Sequence, residues 1–251
     1  MFKQERHEQI LQILTEKRRA TTNYLSEKLF VSPSTIHRDL EQLEKQGFVD
    51  RYYGGALLSN RTIQVPPIEL RQHEMSDAKQ RIGRAARKLV REGDTIFIDA
   101  SSTCLCMLAH LTHIERLTVI TNSQRVTELL ADSPFALYST GGQLLRNSMA
   151  FTGRMAEDFL RKVHIEKYFF SFQGLSSDGV LSDGDEPENR IHQVLLQQQG
   201  LKIGLCDGSK FGQRLLHKIC TLDHLDYFVS DRSLVDFITV PMQDRPVFLR
   251  A

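Results

Sequence analysis

Four short polar runs, Asp99-Ala100-Ser101-Ser102-Thr103, Thr121-Asn122-Ser123, Gly141-Gly142 and Asp207-Gly208-Ser209-Lys210, each follow an apolar stretch. Hydroxyls and free backbone amides at the start of a helix suit a bound anion such as phosphate. A carboxylate accepts hydrogen bonds from hydroxyls, and a lysine meets a phosphate as a point charge, so Asp207 and Lys210 offer partners for hydroxyls and for a phosphate, with Asp99 a further carboxylate at a strand end. Paired glycines let backbone approach a ligand closely. Singly, such residues are more often helix caps and turns than ligand contacts. Nearer the start, Ser32, Ser34, Thr35, His37 and Arg38 fall within seven residues. Short hydroxyls and a cation on one helix are the groups that meet base edges and phosphates in a major groove.

The elements that must position these groups are readable from caps and periodicity. Ser32 is an N-cap, Pro33 holds the first helical position, and Ile36, Leu40 and Leu43 make one face apolar, leaving the polar residues on the other. Residues 4–17, with Ile10, Leu11, Ile13 and Leu14 among charges, predict an earlier helix, and Thr21-Thr22 starts a second. Candidate strands at 48–52 and 56–58 flank a Gly54-Gly55 turn. Three helices and a hairpin spell a winged helix-turn-helix over residues 1–58, with Lys45, Arg51 and Tyr53 joining its DNA-facing set. Residues 59–75, containing Pro66-Pro67, read as a linker. From 76 to 251 strands at 95–99, 117–121, 135–140, 167–172, 201–207 and 227–230 alternate with helices at 77–91, 103–111, 124–130, 154–161 and 188–199. That alternation predicts an α/β domain with a largely parallel sheet, whose ligands bind beyond the carboxyl ends of the strands.

Composition narrows the function classes. A chain of 251 residues, 41% hydrophobic and 25% charged, is long enough for a small domain and a larger one. The net charge of +1, and nine basic against eight acidic residues over positions 1–60, leave DNA binding to placement, with Arg38, Lys45 and Arg51 gathered on one surface. The polar start and the lack of an apolar run near ~20 residues point away from a signal peptide or a membrane span and toward the cytoplasm. Four cysteines (Cys104, Cys106, Cys206, Cys220) form no C-x-x-C pair, so reduced thiols are expected, with no metal and no cofactor.

The segment from Val31 to Gly47, with Tyr53-Gly54-Gly55-Ala56, resembles the DNA-binding signature of the DeoR family of bacterial transcription regulators. The later runs resemble the family's sugar-phosphate sensor domain, itself similar in fold to ribose 5-phosphate isomerase. Asp99, Ser101, Ser102 and Thr103 match its Asp-x-Gly-[Ser/Thr]-Thr stretch, Thr121-Asn122-Ser123 its Thr-Asn-Ser, and Gly141-Gly142 its glycine pair. Asp207, Ser209 and Lys210 match its Asp-x-Ser-Lys, and Glu186 matches a pocket glutamate, followed by Arg190 where lysine is usual. The resemblance therefore implies an effector site built from these residues. Departures are His37 for arginine, Ala100 for glycine, Phe172-Gln173-Gly174 for an Asp-Gly run, and Pro187 for alanine. The neutral Gln173 amide implies an unusual sugar preference.

Together these readings predict a DNA-binding regulator, a repressor of carbohydrate genes, controlled by a phosphorylated sugar and acting as a homodimer or homotetramer on double-stranded operator DNA. The alternative is a sugar-phosphate isomerase with an appended DNA-binding module, in which Asp99, Glu186 or Asp207 serves as the base.

Overall fold

The computed structural model describes residues 3–45, 48–58, 68–235, 237–241 and 246–251. The chain divides into two compact units, Met1–Glu74 and Met75–Ala251.

In the first unit the order is α1 (Lys3–Lys17), β1 (Arg19–Thr21), α2 (Thr22–Leu29), α3 (Pro33–Lys45), β2 (Val49–Tyr52), β3 (Gly55–Leu58) and α4 (Ile68–His73). Thr21 caps α2 by accepting the Tyr24 N–H at 3.2 Å. Phe30 closes that helix in the left-handed region (φ 54°) with its ring exposed. Ile36, Leu40 and Leu43 bury the inner face of α3 against Ile10, Leu11 and Leu14 of α1 and Leu25 and Leu29 of α2. The wing is an antiparallel sheet ordered β1-β3-β2, and Gly54 makes its turn at φ 88°. β1 has no counterpart in the sequence reading, because three residues carry too little periodicity to declare a strand. The expected linker is corrected in part: residues 59–67 lie outside the described residues, whereas Ile68–His73 is a helix that packs on α1 and buries Ile68 completely.

One buried charge holds the first unit's helices in register. Asp39 points inward from α3, 2% exposed, where Arg6 of α1 grips it through Nε at 2.5 Å and Nη2 at 3.1 Å. The His7 ring lies 3.1 Å from the same carboxylate. Burial lowers the His7 pKa, more than Asp39 raises it.

The second unit contains α5 (Ser76–Arg87), β4 (Thr95–Ile98), α6 (Ser102–Leu108), β5 (Thr118–Thr121), α7 (Gln124–Leu129) and β6 (Ala136–Ser139). A hairpin of β7 (Gln143–Leu145) and β8 (Ala150–Thr152) precedes α8 (Arg154–Leu160) and β9 (Lys167–Ser171). Then come β10 (Gly174–Leu175), β11 (Val180–Asp183), α9 (Glu186–Gln197), β12 (Leu201–Cys206), β13 (His217–Thr221), β14 (Tyr227–Ser230) and β15 (Val247–Arg250). Seven strands, ordered β15-β14-β12-β9-β4-β5-β6, form a wholly parallel sheet. Phe97, Ile120, Phe170 and Phe228 face α8 and α9. The alternate residues Ile98, Val119, Phe169 and Leu205 are equally buried, so the other face is covered too, where α5 and α6 pack. All six expected strands are present. The strands that were not foreseen are β15 at the sheet edge, the β7–β8 hairpin and the antiparallel β10-β11-β13 sheet.

Replacing Asp39 with alanine leaves the Arg6 guanidinium without its partner, at a cost of about 3 kcal/mol. Urea unfolding of the full chain should show the first unit's transition at lower denaturant in Asp39→Ala, with the second unit's transition unmoved.

Candidate DNA-binding surface and effector site

On α3 the Ser32 hydroxyl accepts the Thr35 N–H at 3.3 Å and lies 2.9 Å from both the Ser34 and Thr35 hydroxyls. The cap therefore engages part of the hydroxyl set foreseen for DNA. His37 and Arg38 are exposed and carry no ion pair among the described residues. Lys45 is exposed and bonds to Glu41 at 2.7 Å. Arg51, on the wing, lies 3.6 Å from Glu44, and Tyr53 is fully exposed beside Gly54. All eight sequence-chosen residues thus belong to α3, its cap or the wing. Of the three cations in that set, Lys45 and Arg51 have acidic partners, and Arg38 has no ion pair among the described residues.

In the second unit the carboxyl edge of the sheet carries a buried polar network. Asp99, just after β4 and 4% exposed, accepts the Ser101 N–H at 3.0 Å, the Ser101 hydroxyl at 2.6 Å and the Ser171 N–H at 2.7 Å. Ser101 also caps α6 by accepting the Cys104 N–H. Lys210, in the loop after β12, donates to the Ser171 hydroxyl at 2.6 Å and the Thr103 hydroxyl at 3.1 Å. It lies 3.7 Å from Asp207, which also faces the buried Lys79 at 3.8 Å. Ser209 donates to Asp207 through both backbone and hydroxyl. Burial opposes charge on Asp207, but Lys210, Ser209 and Lys79 outweigh it and hold the carboxyl below its usual range.

His192 of α9 completes the network. It is buried, with Nε2 3.7 Å from Asp99 and Nδ1 3.3 Å from Asp183. Burial disfavours its charge, yet the two carboxylates prevail and raise its pKa from 6.5 to about 10. Asp99 is lowered in turn: burial pushes up, and His192, Ser101 and Ser171 more than offset it. Periodicity gave no sign of His192, a lone polar residue beside Ile191, Val194 and Leu195. Asp183, Ser171 and Lys79 were missed likewise, because only the fold brings them to Asp99 and Asp207.

The other expected positions divide. Thr121 donates to the Ile98 carbonyl at 2.6 Å, and Ser123 caps α7 through the Val126 N–H. Gly142 (φ 115°) packs against β8, where a Cβ would meet the Thr152 carbonyl at 2.5 Å, so close backbone packing explains its residue type. Ser102 is buried at the first position of α6. Glu186 is not drawn into the Asp99–Lys210 network. It is exposed, pairs with Arg190 at 2.8 Å, and lines a separate cavity of about 460 Å³ with Gln143, Arg154 and Arg161. Several buried polar atoms have no hydrogen-bond partner: Asn122 Oδ1, Gln173 Nε2, Asn189 Oδ1 and Asp207 Oδ2. Cys104, Cys206 and Cys220 are buried and Cys106 half-buried, all unpaired, and burial raises the Cys104 thiol well above its ordinary value. Among the described residues no cluster of His, Cys, Asp and Glu suited to a metal ion occurs.

Residues 6–62 match the DeoR-like helix-turn-helix domain, and residues 74–232 match the DeoR C terminal sensor domain. The chain belongs to the DeoR family of transcriptional regulators. It is 32% identical to the uncharacterized HTH-type transcriptional regulator YulB of Bacillus subtilis, across 100% of this chain and 97% of that protein. Against the transcriptional repressor GlcR of the same organism identity is 31%, covering 92% and 90%. Against the lactose phosphotransferase system repressor of Staphylococcus aureus it is 32%, covering 92% and 93%. Relatives so named make this DeoR-family chain a regulator and not an isomerase. Ribose 5-phosphate isomerase A of Methanocaldococcus jannaschii aligns over 54% of each chain at 16% identity and a TM-score of 0.39, a likeness too slight to carry chemistry across. In this family member the helix-turn-helix domain implies DNA binding, and the sensor domain implies a small-molecule effector. No helix among the described residues is long and apolar enough to cross a membrane.

Because the folded-state pKa of His192 lies above its unfolded value, its stabilising contribution is complete below about pH 6.5 and fades as pH rises toward 10. Denaturant titrations at pH 6.5 and 9.5 should show this loss in the wild type. His192→Leu, which leaves two buried carboxylates facing each other, should cost about 3–5 kcal/mol at pH 6.5 and lose that part of the pH dependence.

Proposed function

We propose that this chain is a cytoplasmic operator-binding repressor of carbohydrate genes, released by a phosphorylated sugar and acting as a homodimer or homotetramer. In this reading residues 1–58 bind DNA, α4 within the expected 59–75 linker packs with them on α1, and residues 76–251 sense the effector. Arg38, with Ser34, Thr35, His37 and the wing residues Arg51 and Tyr53, contacts the operator.

The observation that carries the effector half is Lys210, held on Ser171 and Thr103 at the carboxyl edge of a parallel sheet and 3.7 Å from Asp207, whose Oδ2 accepts no hydrogen bond among the described residues. A lysine so placed suits a phosphate, and the Asp207 carboxylate beside it suits the hydroxyls of a sugar. Asp99 and Asp207, with Ser101, Ser102, Thr103 and Ser209, form its walls, while Thr121, Asn122, Ser123 and the Gly141-Gly142 turn border it along the next strands. Glu186 enters only through its neighbouring cavity. Control follows from linkage: the effector binds more tightly to the state that holds DNA poorly, and that difference in affinity sets how far the population shifts.

Melting the full chain with a panel of sugar phosphates and their unphosphorylated counterparts tests this. A matching phosphorylated sugar at a hundred times its Kd should add about 2.7 kcal/mol of stability. Lys210→Met should lose that shift and keep operator binding. Intact operator binding with no shift from any phosphorylated sugar would overturn the effector assignment. On the operator side, Arg38→Ala should weaken binding about tenfold and reduce the slope of log affinity against log salt by about one. An unchanged slope would remove Arg38 from the phosphate contacts.

A further inference from the structure

Among the described residues the parallel sheet ends at β6, which pairs only with β5. The N–H groups of Ala136 and Thr140 donate inward to Leu117 and Thr121 at 3.0 and 2.9 Å. By alternation, the N–H and C=O groups of Leu137 and Ser139 face outward along an open edge. Both faces beside this edge expose large apolar groups. Tyr138 is in register with the buried Ile120 and so shares its face, yet it is 52% exposed. Met155, at the start of α8 beside Gly141, is 68% exposed. Leu129, on α7, which packs against β6, is 65% exposed.

We infer that two copies of this chain join here, β6 to β6 and antiparallel about a twofold axis, making one continuous sheet across the dimer. The inference rests on the homo-oligomer reading above and adds to it the surface. Three features select a second copy as the occupant. Outward backbone groups call for another strand, and a helix laid on one face would leave both them and the opposite face uncovered. The strand Ala136–Ser139 bears no charge, so a twofold contact sets no like charges against each other. A stable interface needs roughly 800 Å² from each partner, more than four residues of strand supply. The apolar groups of α7 and α8 flank the strand and enlarge the contact in the way an isologous interface requires.

The test is light scattering with sedimentation equilibrium on the full chain, comparing the wild type with Tyr138→Glu and Ser139→Pro. The proline removes an outward N–H, together with the Ser139 hydroxyl that accepts the Gly141 N–H at 3.2 Å, and leaves the β5 ladder intact; Ser139→Ala, which removes the hydroxyl alone, is the control, and circular dichroism checks that each variant folds. The wild type should associate. Both variants should raise the dissociation constant of one interface at least about tenfold, while Tyr138→Phe retains it. Amide exchange at Leu137 and Ser139 should be slow in the wild-type assembly and fast in the variants. Folded variants that associate like the wild type would overturn the β6 assignment and leave the oligomer reading standing. A wild type that is monomeric at every concentration would defeat that reading itself. Protected β6 amides in such a monomer would give the edge to a different cover.

Discussion

Asp99 sits at the end of a central strand with almost no access to water, and its charge persists only because its surroundings supply what water would have supplied. Ser101 and Ser171 give it N–H and O–H donors, and His192 gives it a nearby positive charge. Each donor comes from a different part of the fold: the loop into α6, the end of β9 and the inner face of α9. A buried carboxylate this heavily engaged pins those parts to one another, since a lapse in any one leaves a costly unpaired charge.

The same requirement propagates outward. Ser171, whose N–H serves Asp99, takes the Lys210 ammonium on its hydroxyl, and Lys210 in turn faces Asp207, which faces Lys79. Charges alternate in sign from Asp183 through His192 and Asp99, then from Lys210 through Asp207 to Lys79. Such a network is rigid when complete and sensitive to any group that inserts into it, which is the property a sensing unit needs. The first unit uses the device on a smaller scale, where Arg6 and His7 hold Asp39 and thereby fix the angle at which α3 shows Arg38 to solvent.

Much of this architecture was legible beforehand. The Ser32-Pro33 cap and the Ile36, Leu40 and Leu43 stripe declared α3, and continuous apolar runs declared six strands of the parallel sheet, because buried parallel strands need no polar alternation. Short strands were not legible. β1, β7, β8 and β10 have two or three residues each, and their pairing partners rather than their composition make them strands. The hairpin and the β10-β11-β13 sheet therefore appear only once the chain is folded. Ile68–His73 was masked by the polar and proline-rich residues around it, although its burial on α1 makes it part of the first unit.

Residue type and local order by themselves determined the two-unit plan, the family and the loop residues Asp99, Asp207 and Lys210, since caps, periodicity and motif spacing are local properties. Which groups meet was decided by tertiary structure alone. His192 lies 93 positions from Asp99 and no periodic pattern links them; parallel strand order and the packing of α9 bring them within 3.7 Å. Conversely, Glu186, expected at the effector site through the family resemblance, lies on the first turn of α9, where it pairs with Arg190 and lines a separate cavity. Contact between distant residues is a property of the packed whole, and that is why the network, unlike its loops, had to be seen.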